Sequence, residues 1–284
     1  MEKKSFQWFI HGEACYEKKD FKPLHVTSKL LKQKNILYPL ASIVEQQLED
    51  GYQRFMNLYQ HHQLFPTNHF VETLVDPNEE LEVHNYTGMC PKNVLEVTPS
   101  SGSCSYACQY CLVTDGKQCK PISVFTNYTD KLKNSLERNK DRNIFYYFSP
   151  KTDAFSDTHL THGIAHDIVR TFINHYQKYP ESKVRIFIAS KAGMVHLNSK
   201  HKGDTLFSLL GSIASKIQYN GSIGIMPTSL RDFLEPNVAS IEDRLAVLQH
   251  CQELGIYAKS VLAQPLIIPY LTEKNIRDYM LALS

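Results

Sequence analysis

The sequence predicts an α/β fold, a parallel sheet with helices outside it, on two observations. From about Val94 onward, short runs rich in Ile, Val, Phe and Tyr alternate with longer stretches of helical spacing. The alternation then repeats over five units, the pattern of a parallel sheet that is either barrel-like or doubly wound. In such folds the chemistry gathers at the C-terminal ends of the strands, which says where to look for a site.

The expected strands are Val94–Pro99, Asn143–Ser149, Val184–Ser190, Ile217–Met226 and Ala258–Ile267. Helices are expected between them, at about 128–139, 159–179, 204–215 and 240–254, with a last one at about 272–283. The second carries Leu160, Ile164, Ile168, Phe172 and Tyr176 at helical spacing. The fourth carries Ile241, Leu245, Leu248 and Cys251, with Ser240 and Asp243 as a Ser-x-x-acid start and Gly255 as a stop. Cys251 therefore reads as a core thiol. Residues 1–93 read as an N-terminal extension of mixed helix and loop. It has an aromatic start at Phe6, Trp8 and Phe9, a helix near Leu40–Tyr59, and a loop-rich run through Pro66, Pro77 and Pro91. Residues 94–284 form the core domain.

Composition removes several function classes. Lys+Arg 31 against Asp+Glu 29 leaves a formal charge of +2, which argues against a polybasic binder. No stretch approaches the ~18 uninterrupted apolar residues of a membrane span, and the N-terminus lacks an apolar targeting region. The expectation is a soluble cytoplasmic protein in a reducing compartment, where seven cysteines need a reason other than disulfides.

Four of the seven crowd together: Cys104, Cys108, Cys111 and Cys119. The loop after the first expected strand reads Ser101-Gly-Ser-Cys104-Ser-Tyr-Ala-Cys108-Gln-Tyr-Cys111, a C-x3-C-x2-C run. Three thiolates on so short a loop can converge on one soft metal centre. Held on a four-iron cluster they would leave the fourth iron open, and an open coordination position means chemistry. The competing reading is a structural zinc with Cys119 as fourth ligand, in a binding module without turnover. Cys119 follows Cys111 through Asp115-Gly116-Lys117, outside the paired spacing usual for zinc.

The C-x3-C-x-aromatic-C run, with Tyr110 at its aromatic position, resembles the signature of the radical S-adenosylmethionine superfamily. Phe148-Ser-Pro-Lys-Thr-Asp153, His159-Leu-Thr-His162, Phe187-Ile-Ala-Ser-Lys191, Phe233-Leu-Glu-Pro236 and Asp243-Arg-Leu245 resemble its spore photoproduct lyase branch in order and spacing. The likeness covers about residues 94–271. It implies a partial (β/α)6 radical-SAM barrel, here lacking its last strand, so that the core reads as shortened at its C-terminal end. It implies a [4Fe-4S] cluster held by Cys104, Cys108 and Cys111. It also implies S-adenosyl-L-methionine cleaved reductively to a 5′-deoxyadenosyl radical that abstracts a substrate hydrogen. Tyr110 would lie against the adenine, and Thr152 and Lys191 would approach the cofactor's carboxylate or ribose. Asp153 and Asp157, flanking Phe155 near the rim of the second expected strand, read as substrate or cofactor contacts or else as turn residues. An external one-electron reductant of the flavodoxin or ferredoxin type is implied too, with nucleic acid, a peptide or a small metabolite as substrate and no membrane. Two departures separate this chain from that branch. Pro150 stands where the branch has a hydrogen-returning cysteine, and Gly224-Ile-Met226 stands where it has Ser-x-Asn.

Weaker signals read as structural. His159, His162 and His166 fall on one side of the expected helix, away from Leu160, Ile164 and Ile168, and read as a solvated or rim face, with His159 as a candidate cap of the helix start. Lys131–Arg142, with five basic residues against two acidic, reads as a solvated helix face. Tyr146 and Tyr147 sit in mid-strand on opposite faces. Cys15, Cys90 and Cys119 receive no role.

Overall fold

The computed structural model describes residues 70–84, 93–102, 104–108, 111, 122–224, 231 and 235–261. In chain order the elements are β1 (Phe70–Thr73), β2 (Val94–Val97), β3 (Ser100–Ser101), β4 (Ile122–Phe125), α1 (Tyr128–Asn139) and β5 (Phe145–Phe148). There follow α2 (Asp157–Thr161), α3 (Ile164–Lys178), β6 (Arg185–Ser190), α4 (Met194–Leu197), β7 (Lys200–His201) and β8 (Asp204–Thr205). The last are α5 (Leu206–Ser212), β9 (Ile217–Ser222), α6 (Ile241–Glu253) and β10 (Tyr257–Val261).

β2, β5, β6, β9 and β10 form one five-stranded sheet, every pair parallel, with neighbours in the order in which the chain reaches them. Sequence left barrel-like and doubly wound arrangements open, and this order separates them. A doubly wound sheet reverses its strand order at a switch point. Here each crossover advances the same way, so right-handed crossovers place their helices on one face, as in a barrel. All five expected strands are present, with tighter ends. The helix expected at 272–283, the one near Leu40–Tyr59 and the far part of the fifth strand lie outside the described residues.

The pleat explains the core. On β5 and β6, Tyr146, Phe148, Ile186 and Ile188 face the helices and are at most 1% exposed, while Phe145, Tyr147, Arg185 and Phe187 face the other way and are half-buried. Ile168 and Phe172 of α3 meet them at 0% exposure. Each such side chain contributes about 1.5–3 kcal/mol through burial, and Phe172→Ala would cost about 3–5 kcal/mol. α1 packs on α3, and α3 on α5. On α6, Ser240 Oγ accepts from the Asp243 N–H at 3.1 Å, Gly255 ends the helix at φ +77°, and Cys251 is fully buried, all as the sequence predicts.

Two expectations fail, and a third, the solvated face over Lys131–Arg142, fails only at Lys131, since Lys133, Arg138 and Arg142 are exposed. The single helix at 159–179 is two helices, broken at Gly163. That residue has φ +66°, and the His201 ring lies only 2.2 Å from where its Cβ would stand. Nor are the histidines a solvated face, and His159 does not open α2 but lies inside it: His159 and His166 are 0% exposed. His166 Nε2–H donates to the Ser199 carbonyl at 2.9 Å, so the segment before β7 covers the side that polarity marked as outer. Lys131 is likewise not solvated. It is 8% exposed and paired with Glu79.

Five short strands were missed: β1, β3, β4 and the antiparallel pair β7 and β8. β1 and β4 pair in parallel, β3 joins β4 antiparallel, and Leu81 enters the core at 6% exposure. Residues 70–84, counted from sequence with the helix-and-loop extension, therefore contain a strand and pack against the body.

Candidate functional site

The C-terminal ends of β2, β5, β6 and β9 adjoin, and each delivers polar residues to that rim. From β2 the chain runs through β3 and Gly102 into the cysteine loop. Cys108 is buried there, and Cys104 and Cys111 are half-buried. Two turns fold the loop: the Ala107 N–H donates to the Cys104 carbonyl at 3.1 Å, and the Cys111 N–H to the Cys108 carbonyl at 3.0 Å. Ala107 has φ 52°, an uncommon left-handed conformation for a side-chain-bearing residue. Burial pushes the Cys108 thiol up to about 12, opposed by Lys191 and aided by the charges of Glu235 and Cys111. Burial also pushes Cys104 up to about 12, opposed by the Tyr106 N–H and aided by Cys108. Thiols this reluctant to ionise are poor nucleophiles. A soft cation turns neighbouring thiols into stable thiolates, so the chemistry of this donor set fits a metal–sulfur centre. Among the described residues, no three thiol, imidazole or carboxylate groups surround a single ion position.

Ser149, the first residue beyond β5, has φ 58°. The Ser149 and Thr152 hydroxyls are 2.6 Å apart, and the Thr152 N–H donates to the Ser149 carbonyl at 3.2 Å. Asp153 follows at 7% exposure. Its Oδ1 accepts from Ser190 Oγ at 2.7 Å and from the Phe155 N–H at 2.9 Å, and its Oδ2 accepts from the Lys191 N–H at 2.7 Å. Burial raises the Asp153 carboxyl above its ordinary range, and those hydrogen bonds oppose it. The ammonium of Lys191 lies within electrostatic reach of Cys108, Glu235 and Asp153. Burial lowers its pKa, and its proximity to Cys108, Glu235 and Asp153 more than reverses the effect.

The loop before α6 closes over this rim. Glu235 and Arg244 form a buried ion pair at 2.6 Å. Arg244 also donates to the Ala239 carbonyl at 2.7 Å and the Ser222 carbonyl at 2.8 Å, tying the loop to the end of β9. Asn237 Nδ2 donates to the Ser105 carbonyl at 2.9 Å, so the same loop holds the cysteine loop. Below it, Ser100 Oγ is 2.8 Å from His159 Nε2, and His159 Nδ1 is 3.2 Å from the Ala154 carbonyl. A carbonyl only accepts, so Nδ1 carries the proton and Ser100 donates to Nε2.

Beside Gly102 and Thr152 opens a cavity of about 250 Å³, bounded by Glu79, Glu82, Glu96, Lys131, Lys151 and Tyr128. Glu96 Oε1 is 2.9 Å from His84 Nδ1, and Glu96 Oε2 is 2.9 Å from Lys151 Nζ. Lys151 pairs with Glu82 as well. Both lysines are thus matched by carboxylates.

Of the residues predicted from sequence, Cys104, Cys108, Cys111, Thr152, Asp153 and Lys191 all fall on this one rim. Tyr110, Cys15, Cys90 and Cys119 lie outside the described residues. Sequence reasoning missed the partnership of Glu235 with Arg244, the Asn237 contact and the Ser100–His159 contact. The first pair was signalled by Phe233-Leu-Glu-Pro236 and Asp243-Arg-Leu245, whose side chains meet across eight intervening residues.

No protein-family model matches the chain, and no curated protein matches it. Solved structures do. The chain resembles spore photoproduct lyase. Against the lyase complexed with dinucleoside spore photoproduct, identity is 17% and the TM-score 0.49, over 86% of this chain and 68% of that one. A tyrosine-to-phenylalanine variant of the lyase gives 16% and 0.48, over 68% of this chain and 51% of that one. A double variant with bound AdoMet and dinucleoside spore photoproduct gives 15% and 0.48, over 75% and 63%. This chain thus spans between half and about two-thirds of the lengths of those proteins.

Proposed function

We propose that the chain is a radical S-adenosylmethionine enzyme whose cluster is held by Cys104, Cys108 and Cys111. One observation carries the reading: the three-cysteine loop leaves the end of β2, and the buried ammonium of Lys191, from the end of β6, sits within electrostatic reach of Cys108. A cation held beside a thiolate-bound centre suits the carboxylate of an amino-acid cofactor.

When bound, a [4Fe-4S] cluster with an open iron would supply one electron to S-adenosylmethionine and so generate the radical that takes a substrate hydrogen. The chain's own residues bind, orient and exclude water. Lys191 would neutralise the cofactor carboxylate. The Thr152 hydroxyl, already turned toward Ser149, would face the ribose, and Tyr110 the adenine. The loop carrying Glu235 and Asn237, held to α6 by Arg244, would roof the site against solvent. We assign the cavity beside Gly102 and Thr152 to the substrate. Its described lining matches each lysine to a carboxylate, which favours a neutral or hydrogen-bonding group there over a phosphate. An external flavodoxin- or ferredoxin-type protein would deliver the electron.

The test is anaerobic reconstitution with iron and sulfide, followed by reductant and S-adenosylmethionine. The reading expects a brown protein that releases 5′-deoxyadenosine and loses its iron in Cys108→Ala but not in Cys251→Ala. A colourless protein with one equivalent of zinc overturns it.

A further inference from the structure

We propose that Asp153 is a positioning residue: it fixes the direction in which Lys191 leaves the sheet, and it does not itself touch the cofactor. The inference rests on the reading of the rim as a cofactor site and assigns a role within it.

The geometry is one carboxylate facing three donors from two elements. The Phe155 N–H belongs to the turn after β5, Ser190 Oγ to the last residue of β6, and the Lys191 N–H to the first residue beyond it. Ser190 Oγ in turn accepts from the Ala192 N–H at 3.0 Å, so residues 190–192 are held as a unit. Both oxygens of Asp153 are engaged at 2.7–2.9 Å, and the side chain is 7% exposed. A carboxylate so enclosed has little left to offer a ligand, because its remaining lone pairs point into the protein.

Without the pin, the backbone at Lys191 could rotate as the strand ends, and a long ammonium chain would sweep several ångströms. Two further contacts confine the same segment. The Met194 N–H donates to Asp243 Oδ2 at 3.1 Å, and a Cβ on Gly193 would lie 1.8 Å from that oxygen, so residues 193–194 press against α6. Lys191 is thus clamped on both sides, by Asp153 before it and Asp243 after it. The electrostatic reach between Lys191 and Cys108 agrees with an ammonium aimed at the cysteine loop.

Asp153→Asn keeps the volume but sets an amide NH2 either against the Lys191 N–H or against the Phe155 N–H and the Ser190 hydroxyl, depending on which way the amide turns. Two measurements test the role. In metal-free protein, the acetylation rate of Lys191 is followed by mass spectrometry, with exposed Lys183 as internal reference. In anaerobically reconstituted protein, the dissociation constant for S-adenosylmethionine is measured for Asp153→Asn, Lys191→Met and the double variant. The expected result is a tenfold or greater rise in Lys191 acetylation in Asp153→Asn with Lys183 unchanged. Each single variant should bind the cofactor at least tenfold more weakly, and the double should bind no more weakly than Lys191→Met. Multiplying effects in the double variant would mean that Asp153 binds the cofactor independently, and would overturn the proposal. Unchanged Lys191 acetylation would overturn it too. If Asp153→Asn does not fold, Ser190→Ala takes its place, removing one donor and leaving the carboxylate. A few-fold rise in Lys191 acetylation is then expected, and no rise refutes the pin. A protein that takes up no cluster fails the enzyme reading alone, since the acetylation measurement still decides the role of Asp153.

Discussion

Arg244 Nη2 lies 2.6 Å from Glu235 Oε2, with both side chains 1% exposed. The pair joins the loop that roofs the rim to the helix that follows it, and the Arg244 bonds to Ser222 and Ala239 leave the guanidinium well satisfied. Removing one partner strands the other charge in the interior, which costs about 3–5 kcal/mol. Glu235→Leu should therefore lower the thermal midpoint by on the order of 10 °C. The double variant Glu235→Leu/Arg244→Met should recover much of that loss, because an apolar pair leaves no buried charge. A double variant no more stable than the single would show that the arginine's carbonyl contacts, and not the ion pair, hold the loop.

His159 ties acid stability to the rim. Burial lowers its pKa from 6.5 to about 4, so it stays neutral in the fold while an unfolded chain takes up a proton near pH 6.5. Its contribution is therefore complete above pH 6.5 and disappears as the pH falls through about 4, a loss on the order of 3 kcal/mol. His166 and His175 are lowered by burial too and share the same acid limb. In urea unfolding at a series of pH values, His159→Gln should be less stable than the parent at pH 7.5, with the gap narrowing toward pH 4. A gap of constant size would refute the neutral, buried assignment.

The five main strands were legible because a parallel strand covered by helices reads as a continuous β-rich run, and because length separates such runs from helices. β1 and β4 were not. Phe70–Thr73 is largely exposed and only four residues long, and Ile122–Phe125 is just as short and follows a cysteine-rich stretch in the sequence. The break at Gly163 was hidden because apolar spacing runs through it from Leu160 to Tyr176, while the reason for the break, the His201 ring, comes from 38 residues away. Burial of His159 and His166 has the same origin in partners distant along the chain. On the rim, spacing singled out the cysteines, and the resemblance pointed to Lys191, whose place just after an expected strand agrees with it. The two motifs marked Glu235 and Arg244 singly, but their contact, like the closing of Asp153 onto β6, depends on three-dimensional juxtaposition.

Gly193 shows how tightly the rim is closed. A Cβ there would stand 1.8 Å from Asp243 Oδ2 and 2.7 Å from the Ala239 Cβ. Gly193→Ala must push α6 away from the segment after Lys191, at about 1–3 kcal/mol. Gly203→Ala is the control, since its φ of +93° strains any side chain but no atom lies within 4 Å. Both variants should lose stability in thermal melts, yet only Gly193→Ala should weaken S-adenosylmethionine binding by the reconstituted protein. Equal binding by the two would mean that α6 does not set the position of Lys191.

Asn237 donates from Nδ2 to the Ser105 carbonyl at 2.9 Å, a side-chain hydrogen bond that ties the roofing loop to the cysteine loop. Asn237 itself is exposed, so its replacement leaves the core untouched, and the bond contributes about 1 kcal/mol. Asn237→Ala should keep the parent's thermal midpoint to within a few degrees. Its effect should fall on the metal centre, where freeing Ser105 loosens the turn that carries Cys104 and Cys108. Iron loss to an anaerobic chelator should become several-fold faster, with the initial iron content unchanged. The same rate of loss in parent and variant would show that the two turns within the cysteine loop hold its shape without the roof.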